Sequence, residues 1–436
     1  MKKYLTIFFF GIFLLGVIAS GTAVGTATVA ETSKVNSVPS VINVGFLGAM
    51  TGALEDLAPG FLDGALSAAR EVNQSSDFSF DIHVIVGDTK LNPTDGVAAY
   101  ESLKAQGVQL VIGATGSSVS KAVAEKTAVD KIVQISYSST AESLSSDSYP
   151  YFYRTVPSDA FQAEAVAHLL ENKTKLVIVN VANAWGDGLA AGVADKFNGT
   201  VLETINYQDT TTDFSSVSTS VKAATGADAI LLISYVTDGR AIISQLRADG
   251  VTTDLFGTDG TGDQAMVNAT IAPNIVSDID GFRGTVPHQF KSGEANYNGY
   301  VSALSDCYGA GICTGNDSTR VYGDYAYDAM WVGANAVKLA GDYSGTAIKD
   351  KMDAAGKAYN GATGNKEFNK FGDPLLGAYD FYQFKDGSYK VIGYYGPNLT
   401  PSTSTAGNAP GFELATLFIS LLSVAVIVTY KRKRRN

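Results

Sequence analysis

Short runs of apolar residues alternate along the middle of the chain with longer stretches in which apolar positions recur at helical spacing. Stretches such as 60–73, 93–106 and 118–130 are long enough to form helices. A strand, then a helix, then another strand at this spacing predicts a parallel sheet with helices on both faces. The predicted strands are residues 42–47, 82–86, 110–112, 132–135, 176–181, 229–234 and 255–256.

The predicted elements fall into two similar series. We therefore predict an α/β fold with two doubly wound parallel-sheet lobes joined by crossover strands. A late helical region at 320–340 and apolar runs at 378–384 and 389–394 complete the lobes, and the break at Pro150 and Pro157 marks the first crossing. The predicted boundaries are 41–156 for lobe 1, completed by about 287–370, and 157–285 for lobe 2, completed by about 371–395.

Residues 1–30 have the layout of an export signal peptide. Lys2 and Lys3 precede an apolar stretch, residues 4–30 carry no charge, and residues 28–30 are small enough for a cleavage point. An uncleaved membrane anchor is the alternative. No cysteine lies near the cleavage point, so a lipid on an N-terminal cysteine is not expected.

A segment near the carboxyl end of the sequence has the features of a membrane-spanning helix. Residues 414–430 carry no charge and are just numerous enough to cross a hydrocarbon layer, and five cations follow at 431–435. Because positive charge stays on the inner side, we expect the body of the protein to lie outside the cell. A tether rich in Ser, Thr and Pro, residues 397–409, precedes this segment.

The order of tether, Pro410-Gly411-Phe412, apolar helix and basic tail over 410–436 resembles the PGF sorting signal of archaeal surface proteins. The resemblance implies that an archaeosortase-like enzyme removes the helix and that a lipid replaces it. A permanent single-span anchor is the alternative. In both cases the body is attached to the outer face of the cell membrane.

The charge distribution narrows the range of functions. The 436-residue chain has a net charge of −11, to which residues 1–30 contribute +2 and residues 410–436 contribute +4, so the middle carries −17. An acidic body argues against a nucleic-acid partner, because phosphate binding needs a basic face. Three scattered histidines and two cysteines do not suit a Cys/His zinc site, and we expect no metal and no cofactor.

Two further features suit an exported protein. Cys307 and Cys313 enclose five residues in a glycine-rich loop and either form a small disulfide or remain thiols. Six Asn-x-Ser/Thr sites predict a glycoprotein, although chance alone supplies several in a chain rich in Ser and Thr. They are Asn73, Asn172, Asn198, Asn268, Asn316 and Asn398.

Residues that directly follow the predicted strands of lobe 1 are candidates for ligand binding, because ligands of open parallel sheets bind beyond the carboxyl ends of the strands. The glycine-rich segment 113–118 opens a helix whose first amides, with the Ser117 hydroxyl, suit a carboxylate; a plain N-cap is the alternative for Ser117. No Gly-Lys-Ser/Thr follows, which disfavours a phosphate loop. Segment 136–140 offers a carbonyl and the Thr140 hydroxyl, or forms an ordinary turn.

Lobe 2 contributes an acid and two aromatic residues at equivalent positions. Asp259 follows a strand and would balance a ligand ammonium, or it belongs to the surface turn that Asp-Gly usually forms. Trp185 and Tyr235 also follow strands, where they either close over an apolar or planar ligand or pack in the core.

These segments occur together in a specific order and spacing. They are Gly48-Ala49-Met50-Thr51-Gly52, Gly64-Ala65, Gly116-Ser117-Ser118, Ile135-Ser136 with Thr140, Trp185-Gly186-Asp187-Gly188 and Asp259-Gly260. Over about residues 41–395, the chain resembles the type I periplasmic binding proteins, in the leucine/isoleucine/valine-binding branch of ABC transporter receptors for amino acids and amides.

The resemblance implies a role for each site residue. Ser117 is implied to bind the α-carboxylate of the ligand, helped by the backbone at Ser138 and by Thr140. Thr140, the Ser138 carbonyl and Asp259 are implied to hold the α-ammonium. The remaining implied pocket residues are Trp185 and Tyr235 on lobe 2, together with Leu57 and Tyr322.

The pocket wall departs from the family pattern at three positions. Asp259 stands where leucine-binding members have a glutamate, and Trp185 and Leu57 each stand where they have a tyrosine. The pattern of charges that suits a zwitterion is kept, but the side-chain pocket is rebuilt. Amino acids, amides and small aromatic acids therefore all stay candidates for the ligand.

The function that the resemblance implies is solute capture for an ABC importer. A ligand that contacts both lobes brings them together, and the permease recognises this closed form. A ligand-sensing surface receptor, a structural surface glycoprotein and an α/β enzyme are the alternatives. No histidine follows a strand end near Ser117 and no G-x-S-x-G segment occurs, so we do not expect an enzyme.

Overall fold

The signal peptide predicted at 1–30, the tether at 397–409 and the apolar helix and basic tail within 410–436 all lie outside the described residues. Within the described ranges, none of the helices has both the length and the hydrophobicity that a membrane span requires. The structure is a computed structural model that describes residues 37–270, 272–294, 296–314 and 322–396.

Strands and helices alternate along most of the described chain. In chain order the strands are β1 (Val41–Gly48), β2 (Asp81–Asp88), β3 (Leu110–Gly113), β4 (Val133–Ser136), β5 (Phe152–Arg154), β6 (Lys175–Val181), β7 (Thr200–Tyr207), β8 (Ala229–Ile233), β9 (Asp254–Gly257), β10 (Arg283–Pro287), β11 (Asn360–Gly361), β12 (Gly364–Asn365), β13 (Tyr379–Lys385) and β14 (Ser388–Tyr395). The helices are α1 (Ala58–Gln74), α2 (Pro93–Ala105), α3 (Ser117–Asp130), α4 (Asp159–Leu169), α5 (Ala184–Lys196), α6 (Ser215–Ala223), α7 (Val236–Ala248), α8 (Ile275–Asp278), α9 (Tyr297–Gly309), α10 (Gly323–Ala340) and α11 (Gly345–Ala358).

Two separate sheets form two lobes. Lobe 1 has five parallel strands in the order β2-β1-β3-β4-β5, and α1 to α3 and α9 to α11 pack around them. Lobe 2 has seven strands in the order β14-β13-β10-β9-β8-β6-β7, in which β13 runs antiparallel to both β10 and β14. Helices α4 to α8 pack around this second sheet. The predicted α/β fold with two doubly wound lobes is confirmed.

Most of the strands that the sequence predicted contain an apolar run. Strands β3, β4 and β8 are buried at every position, because helices cover both faces of a parallel sheet. Strands β5, β7, β10, β11 and β12 were not predicted. Strand β5 has three residues, and β7 lies at the edge of its sheet, where most of its side chains are exposed and several are polar.

The chain passes between the two sheets three times, after β5, after β10 and after β12. We propose that these passages are the lobe boundaries expected near residues 156, 286 and 370. The structure also joins Cys307, on α9, to Cys313 in a disulfide, so the two residues are not free thiols.

The buried Arg154 connects the first and third passages with a loop of lobe 1. Its Nε donates to Asp373 Oδ1 at 2.7 Å in the third passage. Its Nη1 donates to the carbonyls of Ser139 and Ala141, and its Nη2 donates to Ser145 Oγ. One side chain therefore holds together the segment after β4 and two of the three connections between the lobes.

We expect the Arg154→Met variant to lose about 3–5 kcal/mol of unfolding free energy, because it leaves Asp373 buried without its cation. Chemical denaturation followed by circular dichroism measures this loss. Lys370→Met is the matched control: Lys370 lies in the same passage with its side chain 71% exposed and 4.0 Å from Asp147, so we expect a change within about 0.5 kcal/mol. Equal effects of the two substitutions would contradict this role of Arg154.

Candidate functional site

A cavity lies between the two lobes, at the carboxyl ends of their strands. Each lobe supplies part of its wall. All eight residues that the sequence analysis selected line this one cavity. Its lining residues are Leu54, Leu57, Phe61, Thr115, Gly116, Ser117, Ser138, Thr140 and Tyr322 from lobe 1 and Trp185, Tyr235, Asp259, Gly260 and Asp263 from lobe 2.

The amino end of α3 forms one side of the cavity. Gly116 precedes the helix with φ of +85°, and a Cβ there would lie 2.5 Å from the Leu91 side chain, so glycine is required for the turn. Ser117 is the first helical residue rather than an N-cap. Its Oγ accepts a hydrogen bond from the Ala141 amide at 3.1 Å, which leaves the hydroxyl hydrogen free to donate into the cavity. The first amides of α3 have no acceptor within their helix, and they carry partial positive charge.

A network of buried serines holds the segment that follows β4. Ser136 Oγ donates to the Ala114 carbonyl, and Ser139 Oγ lies within hydrogen-bonding distance of both the Ala114 carbonyl and Ser120 Oγ. The network fixes the segment that carries Ser138 and Thr140 against the glycine-rich turn before α3. The buried Ser138 hydroxyl has no hydrogen-bond partner among the described residues.

Asp259 lies opposite, in a single helical turn after β9, and only 9% of its surface is exposed. It is therefore not in an exposed surface turn. Gln162 Nε2, from α4, donates to its Oδ1 at 2.9 Å, and the Tyr322 hydroxyl donates to its Oδ2 at 2.5 Å. Burial raises the pKa of Asp259, and these two hydrogen bonds oppose the rise.

No described residue of the cavity wall supplies a positive charge to balance Asp259. Among the described residues that line it, none is lysine, arginine or histidine, and Asp263 adds a second acid. A buried carboxylate without a cationic partner is costly, so the cavity favours a ligand that carries positive charge.

Two stacked aromatic rings cover the cavity from lobe 2. Asn183 caps α5 by accepting hydrogen bonds from the amides of Trp185 and Gly186, which sets Trp185 at the first turn. The Trp185 and Tyr235 rings stack with centroids 5.0 Å apart, and Asn183 Nδ2 donates to the Tyr235 hydroxyl at 3.3 Å. Both rings line the cavity and are at the same time buried against the core.

The part of the lobe 1 wall near the start of α1 is apolar. Leu54, Leu57 and Phe61 lie near the start of α1, and the Phe61 ring meets the Tyr322 ring edge to face, with centroids 6.2 Å apart. Sequence reasoning missed Leu54, Phe61 and Gln162. Leu57 and Phe61 are four residues apart, a spacing that places two residues on the same face of a helix. This spacing could have identified Phe61 from the sequence.

The lobes also contact each other directly beside the cavity. The Ala184 amide at the start of α5 donates to Ser118 Oγ at the start of α3, at 3.0 Å. With the hydrogen bond between Tyr322 and Asp259, this contact joins the two walls of the cavity. The lobes are therefore closed over the site.

Comparison with known proteins agrees with this geometry. Residues 41–388 match the family model of the periplasmic binding proteins. The chain is 23% identical over 389 residues to the Leu/Ile/Val-binding protein homolog 3 of Brucella melitensis, a match that covers 87% of this chain and 98% of that protein.

Two solved structures have a similar fold. A branched-chain amino acid transporter substrate binding protein from Streptococcus pneumoniae, in complex with isoleucine, has a TM-score of 0.71 and 20% identity, over 82% of this chain and 100% of that one. A solute binding protein of an ABC transporter from R. palustris, in complex with benzoate, has a TM-score of 0.70 and 18% identity, over 82% and 97%.

The family model spans most of the chain, and the fold is that of type I periplasmic binding proteins. Family and fold are those of solute-binding proteins that catalyse no reaction, which confirms the prediction that the chain is not an enzyme. The chain belongs to the periplasmic binding protein family.

Proposed function

We propose that this protein is the extracellular substrate-binding protein of an ABC importer and that it captures a branched-chain or related amino acid, or an amide, by closing its two lobes. The observation that carries the proposal is the separation of charge preferences across the cavity. Asp259 on lobe 2 favours a cationic group, whereas Ser117 and the amino end of α3 on lobe 1 favour an anionic one.

The proposed ligand is a zwitterion lying between these two sides. Its carboxylate meets the Ser117 hydroxyl and the first amides of α3, with help from the Ser138 backbone and Thr140. Its ammonium meets Asp259, Thr140 and the Ser138 carbonyl. Its side chain occupies the apolar part of the cavity, between Leu57, Tyr322, Trp185 and Tyr235.

An aromatic monocarboxylate fits the charge pattern less well. One relative of similar fold was solved with benzoate, which has no cationic group. Such a ligand would leave Asp259 buried beside an added anion, and burying unpaired charge is unfavourable. We therefore rank amino acids above aromatic acids, even though Leu57 and Trp185 rebuild the pocket wall.

The mechanism is closure rather than catalysis. A ligand that contacts both lobes stabilises the closed form by its differential affinity for that form. The contacts between Ser118 and Ala184 and between Tyr322 and Asp259 form only when the lobes meet, and they give the permease a closed shape to recognise.

The proposed location is the outer face of the cell membrane. The export signal at 1–30, the tether at 397–409 and the PGF motif, apolar helix and basic tail at 410–436 support it. The helix is either kept or replaced by a lipid after cleavage by an archaeosortase-like enzyme. Among the glycosylation sites, Asn172 and Asn198 are exposed in turns of lobe 2 and are accessible for a glycan.

We expect L-leucine to raise the melting temperature of the purified protein and benzoate to leave it unchanged. At a ligand concentration of 100 Kd, single-site binding stabilises a protein by about 2.7 kcal/mol. Differential scanning fluorimetry with a panel of L-amino acids measures the shift and identifies the preferred side chain. Stabilisation by benzoate alone would contradict the zwitterion, and conversion of any panel member to a product would indicate an enzyme.

The Asp259→Asn substitution should weaken binding of the preferred amino acid at least about 30-fold, because truncating one partner of a buried charge pair costs about 2 kcal/mol or more. Isothermal titration calorimetry measures the affinity. Asp213→Asn removes an exposed acid of the same lobe and is the matched control, for which we expect unchanged affinity. Equal affinities of all three proteins would rule out an ammonium at Asp259.

A further inference from the structure

Two of the predicted glycosylation sites lie side by side on lobe 2. Asn172-Lys173-Thr174 directly precedes β6, and Asn198-Gly199-Thr200 ends at the first residue of β7. The Thr200 amide donates to the Thr174 carbonyl at 2.8 Å. Because β6 and β7 are parallel neighbours, the two sites lie together at the amino ends of these strands.

The side chains distinguish these two sites from the other two that the structure describes. Asn172 and Asn198 are exposed, and neither side-chain amide makes a hydrogen bond with another described residue. In contrast, Asn73 Nδ2 donates to the Ile82 carbonyl at 3.0 Å, and its Oδ1 accepts from the Ile82 amide at 2.6 Å. Asn268 is half-buried, and its Oδ1 accepts from a backbone amide two residues later. A sugar on Asn172 or Asn198 therefore displaces no contact within the protein.

The strand that begins at the second site forms an open edge of the lobe 2 sheet. Among the described strands, β7 pairs with β6 alone. An edge strand presents unpaired backbone groups to other molecules, and proteins usually protect it with lysine, proline or a β-bulge. Strand β7 contains neither lysine nor proline, whereas β14, at the other edge, exposes Lys390. A bulge at Leu202 and the charge of Glu203 protect β7 in part.

We propose that Asn172 and Asn198 carry N-linked glycans and that the glycan on Asn198 protects the edge of β7 from pairing with a strand of another copy of this chain. The proposal rests on the export of the protein proposed above and not on the identity of the ligand. A glycan is bulky and solubilising. Attached two residues before β7, it prevents a second strand from approaching along the edge.

The modification is the transfer of a glycosyl group from a lipid-linked sugar phosphate to the asparagine side chain. The bond between the anomeric carbon of the sugar and the phosphate oxygen breaks, and a bond from that carbon to Nδ2 forms. One Nδ2 proton leaves with the phosphate. The transferring enzyme belongs to the cell, and this chain supplies the Asn-x-Thr acceptor on an exposed turn.

The two glycans lie away from the ligand-binding cavity. The cavity is at the carboxyl ends of the strands, whereas Asn172 and Asn198 precede the amino ends. Strand β7 has eight residues and is therefore about 26 Å long. Sugars at this end leave the lobes free to close, so the proposed capture of a ligand and the proposed glycans do not interfere with each other.

Mass spectrometry of peptides from the protein purified from its own cells tests the modification. We expect a glycan mass on the peptides that contain Asn172 and Asn198, and none on the peptide that contains Asn73, because the Asn73 side chain is bonded to Ile82. An unmodified Asn198, or equal modification of Asn73, would overturn the proposal and leave the proposed ligand capture intact.

Light scattering of the concentrated protein from the same cells tests the protection of the edge. We expect the Asn198→Gln variant to lose soluble protein faster than the natural protein, and Asn172→Gln, the matched control beside the inner strand β6, to lose it at the natural rate. Adding Thr204→Lys to Asn198→Gln should restore solubility, because Thr204 is exposed on β7 and lysine on an edge disfavours strand pairing. Circular dichroism checks that every variant is folded. Equal rates for Asn198→Gln and the natural protein, or no rescue by the lysine, would refute the protective role.

Discussion

The constraint on which the rest of the cleft depends is a carboxylate held away from water, with no cation among the described residues that line the cavity. Asp259 accepts hydrogen bonds from Gln162 and Tyr322, but neither donor carries charge. Neutral donors stabilise a carboxylate less than an ion pair with hydrogen bonds does. The closed cavity is therefore built to receive a cationic group, and the neutral hydroxyl and amides at Ser117, on the other lobe, suit the anion attached to it.

The fold provides this arrangement through a few buried polar connections rather than through the site residues alone. Arg154 links the segment after β4 to the third passage, and the serines at 136 and 139 attach the same segment to Ala114. These contacts fix half of the site in position before any ligand arrives. The movement that capture requires is then confined to the approach of the lobes, where Ser118 meets Ala184.

The fold and the residues that follow the strands could be predicted from the sequence, because both depend on patterns that recur locally along the chain. Fully buried strands such as β3 and β8 are runs of apolar residues in the sequence. Ser117 and Asp259 lie shortly after strands. Other features depend on contacts distant in sequence. The edge strand β7 has no continuous apolar run, the burial of Asp259 is imposed by lobe 1, and Gln162 lies on a helix face that only tertiary packing directs to the site.

The most direct test of the central claim is a crystal structure of the protein with its preferred amino acid bound. The account predicts that the ligand ammonium lies about 2.7–2.9 Å from an Asp259 carboxylate oxygen and that the ligand carboxylate accepts hydrogen bonds from the Ser117 hydroxyl and the first amides of α3. A ligand bound in the reverse orientation, or an ammonium that bonds to water while Asp259 keeps only Gln162 and Tyr322, would contradict it.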